Sequence, residues 1–196
     1  VIDKAVMCEI LGLENDSKPL NVMIWTTTPW TLPASLVIAV NPKYSYRAYD
    51  IGENRIVIAE DMAESAFKAA GREGSPVGKA VDGAALEKLK CKHPFIDREI
   101  PILLADYVTL EAGTGCVHTA PGHGQDDYVL CSHHGIGVYA PVDATGRFEN
   151  DVEHWAGEKV FEANPKIVKF LAETGVLFNP EGQKLKHQYP CCWRCK

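Results

Sequence analysis

No stretch of this 196-residue sequence stays apolar for the roughly 18 positions a bilayer requires, and Val1-Ile-Asp-Lys-Ala-Val6 carries charge where a secretion signal is apolar. A membrane span or membrane partner is not expected. Regular cysteine spacing is lacking: the seven residues, at positions 8, 91, 116, 131, 191, 192 and 195, are an odd number in a chain long enough to fold without disulfide staples. That usage points to a reducing cytoplasm. A phosphate loop and a dinucleotide fingerprint are lacking, since Gly113-Thr-Gly115 has neither the third glycine nor a helix directly after it. Kinase and dehydrogenase classes lose their support. Positive charge is in deficit, 20 Lys and Arg against 26 Asp and Glu for a net charge of -6, so the global field repels phosphate and non-specific DNA binding is not expected. Internal repeats and low-complexity tracts are also missing.

What remains, with 46% hydrophobic and 23% charged residues, is the balance of one soluble, well-cored domain. The chain opens on Val and closes inside Cys192-Trp-Arg-Cys-Lys196, so we expect a domain cut from a larger protein. Segments 20–28 and 34–40 are rich in β-branched and aromatic residues between prolines, and predict strands. Residues 44–51 and 55–59, joined by Gly52-Glu-Asn54, predict a hairpin. Asp61 and Glu64 form a capping-box pattern ahead of a short amphipathic helix stopped by Gly71. Strands are expected at 102–108 and 116–120, a helix at 125–134, and a last helix capped by Asn164 with Pro165 at its first position. Runs of strands with a few helices among them, without regular alternation, imply an α+β fold with a mixed, barrel-like sheet core and peripheral helices.

Two segments carry more polar side chains than a core needs. In Trp25-Thr-Thr-Thr-Pro-Trp-Thr31, four hydroxyls fall within six positions stiffened by Pro29, either a fixed hydrogen-bonding wall or an ordinary strand exit. In the stretch from Gly113 to Asp127, His118 lies on a strand, while Pro121 and two glycines turn the chain before Asp126 and Asp127 open a helix. The acids read as dipole compensation or as an anchor for an ammonium group. His118 reads as a structural or a functional histidine. A catalytic metal on His118, His123 and Asp127, with His133 and His134 nearby, is the competing reading. Pro121-Gly122 opposes it by preventing the one-face helical geometry of known metal motifs. His133 and His134 are more simply the polar end of a helix. Cys192 and Cys195 have the spacing of a zinc half-site, with no second such pair in the chain. Lys184, Lys186, His187, Arg194 and Lys196, interleaved with Tyr189 and Trp193, read either as an RNA-touching surface or as a solvated connector.

Trp25 to Pro33 followed by Ile38-Ala-Val-Asn-Pro42, together with Gly113 to Tyr128, resembles the editing domain of isoleucyl-tRNA synthetases over essentially the whole chain. The valyl and leucyl siblings typically carry an Arg and an acid where this chain has Thr28 and Trp30, and lack the histidine at His118. Ser35 departs from the asparagine usual in the family. The resemblance implies residues 1–190 as editing domain and 191–196 as the start of the return to the catalytic domain. It implies hydrolysis of Val-tRNA(Ile), and of valyl-adenylate, with isoleucine tRNA and the rest of the synthetase as partners. Asp127 would hold the α-ammonium; Thr26, Thr27, Thr28 and Thr31 would contact the ester, the ribose or the water; Trp25 would shape the apolar wall; His118 would stand at the side-chain pocket, as an excluding bulk or a general base. Editing would need no cofactor. Zinc would bind Cys192 and Cys195 only with cysteines elsewhere in the full protein, and ATP would serve only the absent catalytic domain. A non-catalytic tRNA-docking module is the remaining alternative.

Overall fold

The structure, a computed structural model, describes residues 1–180 and Arg194. Its strands build two mixed sheets of four strands each. One holds, side by side, β1 (Leu20–Val22), β4 (Arg55–Ala59), β3 (Ser45–Asp50) and β5 (Ser75–Asp82). The other holds β6 (Lys90–Lys92), β7 (Glu99–Leu104), β2 (Val37–Val40) and β8 (Cys116–Thr119). The β1/β4 and β2/β7 pairs are parallel and the others antiparallel. The expected α+β class with a mixed sheet core is therefore observed, as two layered sheets rather than one sheet whose ends pair into a ring.

β2 shows why the layers form. All four of its residues are buried, and because successive side chains point to opposite faces, Ile38 and Val40 enter one cluster while Val37 and Ala39 enter another. Ile38 and Val40 meet Ala48, Val57 and Ala59 of the first sheet, so this cluster is the core between the sheets. Val37 and Ala39 meet Leu130 and Cys131 of helix α3 (Gln125–His133) on the outer face. The far face of the first sheet is covered by α2 (Ala63–Ala70), whose Ala63 and Phe67 pack on Tyr49, Ile56 and Ile58. α1 (Lys4–Leu11) plugs the inter-sheet core with Met7, Cys8 and Leu11, and α4 (Val160–Glu173) packs Val160, Ala163 and Ile167 around Trp155 and Leu32.

Several local expectations need correction. The strand expected over 20–28 ends at Val22; beyond it Trp25 makes a single parallel bridge to Val117 and Pro29–Ala34 coils into a 3-10 helix. Pro29 sits at the start of that helix, where its missing N–H is not needed. The strand expected at 102–108 lies earlier, because Val108 N–H turns back onto Ala105 O at 3.3 Å. The Asp61 cap does not form; a short 3-10 turn precedes α2, and Ser65 Oγ donates to Met62 O at 3.0 Å. Asn164 caps nothing, since α4 begins at Val160 and the Asn164 side chain accepts the Trp30 N–H at 3.0 Å. That bond ties the 3-10 helix to α4.

Candidate active site

The two unusual segments meet at the open edge of the second sheet. β8 is its edge strand, and the antiparallel register sets His118 opposite Ile38, on the face that looks toward the 3-10 helix. The Trp25 bridge to Val117 lays the threonine-rich segment along the same edge. Between them opens a cleft of about 390 Å³ lined by Trp25, Thr26, Thr27, Val117, His118, Asp127 and the turn from Tyr107 to Ala112. Its volume lies in the range of small-ligand pockets, roughly 300–1,000 Å³.

Each wall has a local cause. Thr26 Oγ1 accepts the Thr28 N–H at 3.0 Å, a side-chain turn that ends the extended run and releases the chain into the 3-10 helix. Gly115, at φ 70°, lies so close to Ala59 that a Cβ would come within 2.4 Å of the alanine Cβ, and its carbonyl accepts the buried Tyr46 hydroxyl at 2.6 Å. Ala59 N–H donates to Thr114 O at 2.9 Å. Gly113-Thr-Gly115 therefore seats the entry to β8 on the first sheet. Past β8, Gly124 leaves room for the Asp127 carboxylate, which would stand 2.8 Å from a Cβ there.

Asp127 sits in the first turn of α3 but does not cap it. Its Oδ2 accepts the Ala120 N–H at 2.9 Å, which fixes the half-buried carboxylate in the wall of the cleft that Thr26 and Thr27 also line. Burial raises its pKa, the Ala120 N–H pulls it down, and neighbouring Asp126 adds to the rise. The His118 Nε2 lies 3.1 Å from Thr31 Oγ1, while its Nδ1 is buried without a partner among the described residues. Burial pushes its pKa down to about 4, with His93 and His123 contributing.

Not every expected site residue reaches the cleft. Thr26, Thr27, Trp25, His118 and Asp127 line it; Thr28 and Thr31 do not. Thr28 Oγ1 lies 3.4 Å from Thr27 Oγ1, and Thr31 is buried with its hydroxyl donating to Thr28 O at 2.8 Å. His123 turns away and packs edge-on against Trp30, ring centroids 4.9 Å apart. No group of three His, Cys, Asp or Glu side chains among the described residues could hold a metal, so His118, His123 and Asp127 do not form the competing metal site. Cys192 and Cys195 lie outside the described residues, as does the basic and aromatic tail apart from Arg194. No helix among the described residues is long and apolar enough to cross a membrane.

Sequence reasoning missed Tyr107, which lines the cleft and has its hydroxyl buried near Thr119. Burial raises its pKa to about 12; Thr119 pulls it back, and the Asp127 charge adds to the rise. It had been absorbed into the strand expected at 102–108. The signal that could have exposed it is Asn41, whose buried amide fixes this turn by donating to Val108 O at 3.0 Å.

Residues 10–175 match the family model for the editing domain of leucyl-tRNA synthetase. The chain belongs to the synthetase editing-domain family. Among curated relatives it is 45% identical over its whole length to the isoleucine–tRNA ligase of Thioalkalivibrio sulfidiphilus, and 49% identical over 89% of its length to that of Nitratidesulfovibrio vulgaris. It spans 21% and 18% of those proteins, about a fifth of their length. These relatives place the chain in the isoleucyl branch of the family. Solved structures described as GlLeuRS-CP1 and as the P. knowlesi cytosolic leucyl-tRNA synthetase editing domain share its fold. Their TM-scores are 0.70 and 0.63, at 15% and 14% identity, covering 88% and 87% of this chain and 87% and 90% of theirs. The isoleucyl-type editing domain thus carries its two motif segments on a fold shared with leucyl enzymes.

Proposed function

We propose that the cleft hydrolyses the ester joining valine to the terminal ribose of isoleucine tRNA, and accepts valyl-adenylate as a second substrate. The observation that carries this reading is that Thr26, Thr27, His118 and Asp127, from segments some ninety positions apart, line one cleft. Asp127, fixed by Ala120, supplies charge and direction for the substrate's α-ammonium. The Thr26 and Thr27 side chains flank the ester and orient the attacking water, so that catalysis comes from positioning and from hydrogen bonds that strengthen as charge develops on the carbonyl oxygen. Trp25, 40% exposed at the cleft mouth, forms a flat wall for the terminal nucleoside. His118 limits the length of side chain that fits.

The need for such a site follows from the energetics of selection. A missing methylene changes binding in an apolar pocket by about 1–3 kcal/mol, a figure established on synthetases of this kind, so a single binding step passes too much valine. A second site that admits only the smaller product removes the error. In this reading neither metal nor ATP takes part. Isoleucine tRNA and the remainder of the synthetase are the partners, and the reducing cytoplasm is the setting.

The test is to incubate Val-tRNA(Ile) and Ile-tRNA(Ile) with the chain, with and without EDTA. Deacylation of the valyl ester alone, indifferent to chelator, is the expected result. Loss of activity with EDTA would establish a metal hydrolase instead, and tRNA binding without deacylation would establish a docking module.

A further inference from the structure

We infer that Asn41 and Tyr46, buried and outside the cleft, are positioning residues for the bound nucleoside: one hydrogen-bond relay through them holds both ends of the loop 109–114 and so sets the recess between that loop and Trp25. The hydrogen-bond geometry carries the relay, and its consequence for the substrate rests on the editing reading. Asn41 follows β2 directly and is 6% exposed; Tyr46, on β3, is fully buried. The Asn41 Oδ1 accepts the Lys43 N–H at 3.0 Å, which settles the orientation of its amide. Its Nδ2 therefore donates to Val108 O at 3.0 Å and to Asp106 O at 3.4 Å. The Asn41 N–H donates to Tyr46 Oη at 3.0 Å, and the Tyr46 hydroxyl donates in turn to Gly115 O at 2.6 Å. A carbonyl can only accept, so the direction of the relay is fixed. Val108 and Gly115, the two residues it reaches, stand immediately before and after the loop.

The loop depends on these ends. No backbone–backbone hydrogen bond among the described residues involves Thr109 to Gly113. Along its length the loop is held by packing: Leu110 lies against the inter-sheet core, and Gly113 rests on Trp25, where a Cβ would come within 3.2 Å of the Trp25 Cβ. Thr109, Glu111 and Ala112 line the cleft together with Trp25. In the editing reading Thr26, Thr27, His118 and Asp127 face the aminoacyl end, which leaves this loop and Trp25 to face the rest of the substrate, the terminal adenosine. Releasing either end would let the loop shift against Trp25 while Asp127, fixed separately by the Ala120 N–H, stays in place. Removing the Tyr46 hydroxyl does this at the cost of two buried groups, the Asn41 N–H and the Gly115 carbonyl, which both lose their partner. Gly83 makes room for the relay, since a Cβ there would come within 2.1 Å of Asn41 O and 2.8 Å of Tyr46 Cε2.

The experiment compares wild type, Tyr46→Phe and Asn41→Ser. Phenylalanine keeps the ring and removes the hydroxyl; serine can still accept the Lys43 N–H but is too short to reach Val108 O. Each chain is given two esters of valine, 2′(3′)-O-valyladenosine and valine ethyl ester, the second of which has no nucleoside. In both variants KM for the adenosine ester should rise about tenfold, the span of one net hydrogen bond, with its kcat and the rate on the ethyl ester within about twofold of wild type. A mere loss of folded protein would lower both substrates alike. Amide hydrogen exchange, followed by mass spectrometry without substrate, should quicken over 109–114 in both variants and stay unchanged in α3. Equal losses on the two esters, an unchanged KM for the adenosine ester, or unchanged exchange in the loop overturns the inference. If one variant does not fold, the other decides. If wild type cleaves neither ester, the editing reading fails, and exchange over 109–114 alone decides the relay.

Discussion

Asp127→Asn isolates the charge on which the proposed chemistry depends. Asparagine has the same shape, and its carbonyl oxygen can go on accepting the Ala120 N–H that now meets Asp127 Oδ2 at 2.9 Å, so the turn into α3 should persist. What changes is the face toward the cleft, where an amide without charge meets the substrate's ammonium. A hydrogen bond to a charged group is worth roughly 1.5–3 kcal/mol net, and each 1.4 kcal/mol is a factor of ten, which gives a loss of about 10- to 150-fold in kcat/KM for Val-tRNA(Ile). The assay is release of labelled valine at pH 7, with thermal unfolding run alongside to show that the fold survives. A substrate whose amine is acetylated, and so has no ammonium to lose, should be cut poorly by wild type and equally poorly by Asp127→Asn. The reasoning is refuted if the variant cleaves Val-tRNA(Ile) within about twofold of wild type, or if wild type handles the acetylated ester as well as the free one.

His118→Ala should let the cleft accept the larger ester: hydrolysis of Ile-tRNA(Ile) should rise by about 10- to 200-fold, the span that one methylene controls, and unchanged discrimination would remove His118 from the pocket wall. Acid should weaken the fold through His93, whose pKa falls from its usual 6.5 to about 4, chiefly by burial and against the pull of the Leu32 carbonyl. The unfolded chain binds that proton below about pH 6.5 and the folded chain only below about 4. Stability is therefore complete above 6.5 and declines as pH drops to 4, by on the order of 3 kcal/mol for this group. A urea midpoint that stays level from pH 7 to 4.5 would contradict this. Gly115→Ala, at a φ of 70° and with its Cβ directed to within 2.4 Å of the Ala59 Cβ, should destabilise by about 1–3 kcal/mol, read as a lowered Tm; an unshifted Tm would show that the two sheets have slack at this joint.

Legibility in the sequence followed burial. α2 was readable because its apolar residues recur near 3.6, β2 and β4 because they are short β-branched runs between turn residues, buried on both faces, and α3 because acids open it and a glycine stops it. β5 gave no such signal. It is an edge strand, largely exposed, with Pro76, Gly78 and Lys79 in Ser75–Asp82, residues that suit an edge because they discourage further pairing and that look like a loop on the page. α1 packs Met7, Cys8 and Leu11 into the core from a segment without a strong start signal, and Asp3 offers it no side-chain cap. Asn164-Pro165 misled because a cap followed by proline is a good local rule, and a tertiary bond from Trp30 used the asparagine instead. At the site, residue types were enough to mark Trp25, Thr26, Thr27, His118 and Asp127. They could not tell which hydroxyls would face the cleft, since Thr28 and Thr31 differ from Thr26 and Thr27 only in where the 3-10 helix begins.

That boundary links the fold to the chemistry. The pairing of β2 with β8 puts His118 opposite Ile38, and a slip of one residue would turn His118 to the α3 side and bring Val117 or Thr119 to the helix side. The register is held at both ends: Leu36 N–H donates to Thr119 O at 2.9 Å, and beyond Cys116 the loop is bonded to the first sheet through Ala59 and Tyr46. With His118 so fixed, Thr31 must lie one turn into the 3-10 helix for its oxygen to meet Nε2, and Thr26 and Thr27 are left ahead of the helix, facing the cleft. A helix starting one residue earlier would withdraw a cleft hydroxyl and move Thr31 off His118 together. Substrate contact and size limit therefore depend on one structural variable, the point at which Pro29 begins the helix. An insertion between Thr28 and Pro29 should consequently impair hydrolysis and discrimination together, whereas an impairment of one without the other would show that the two are set independently.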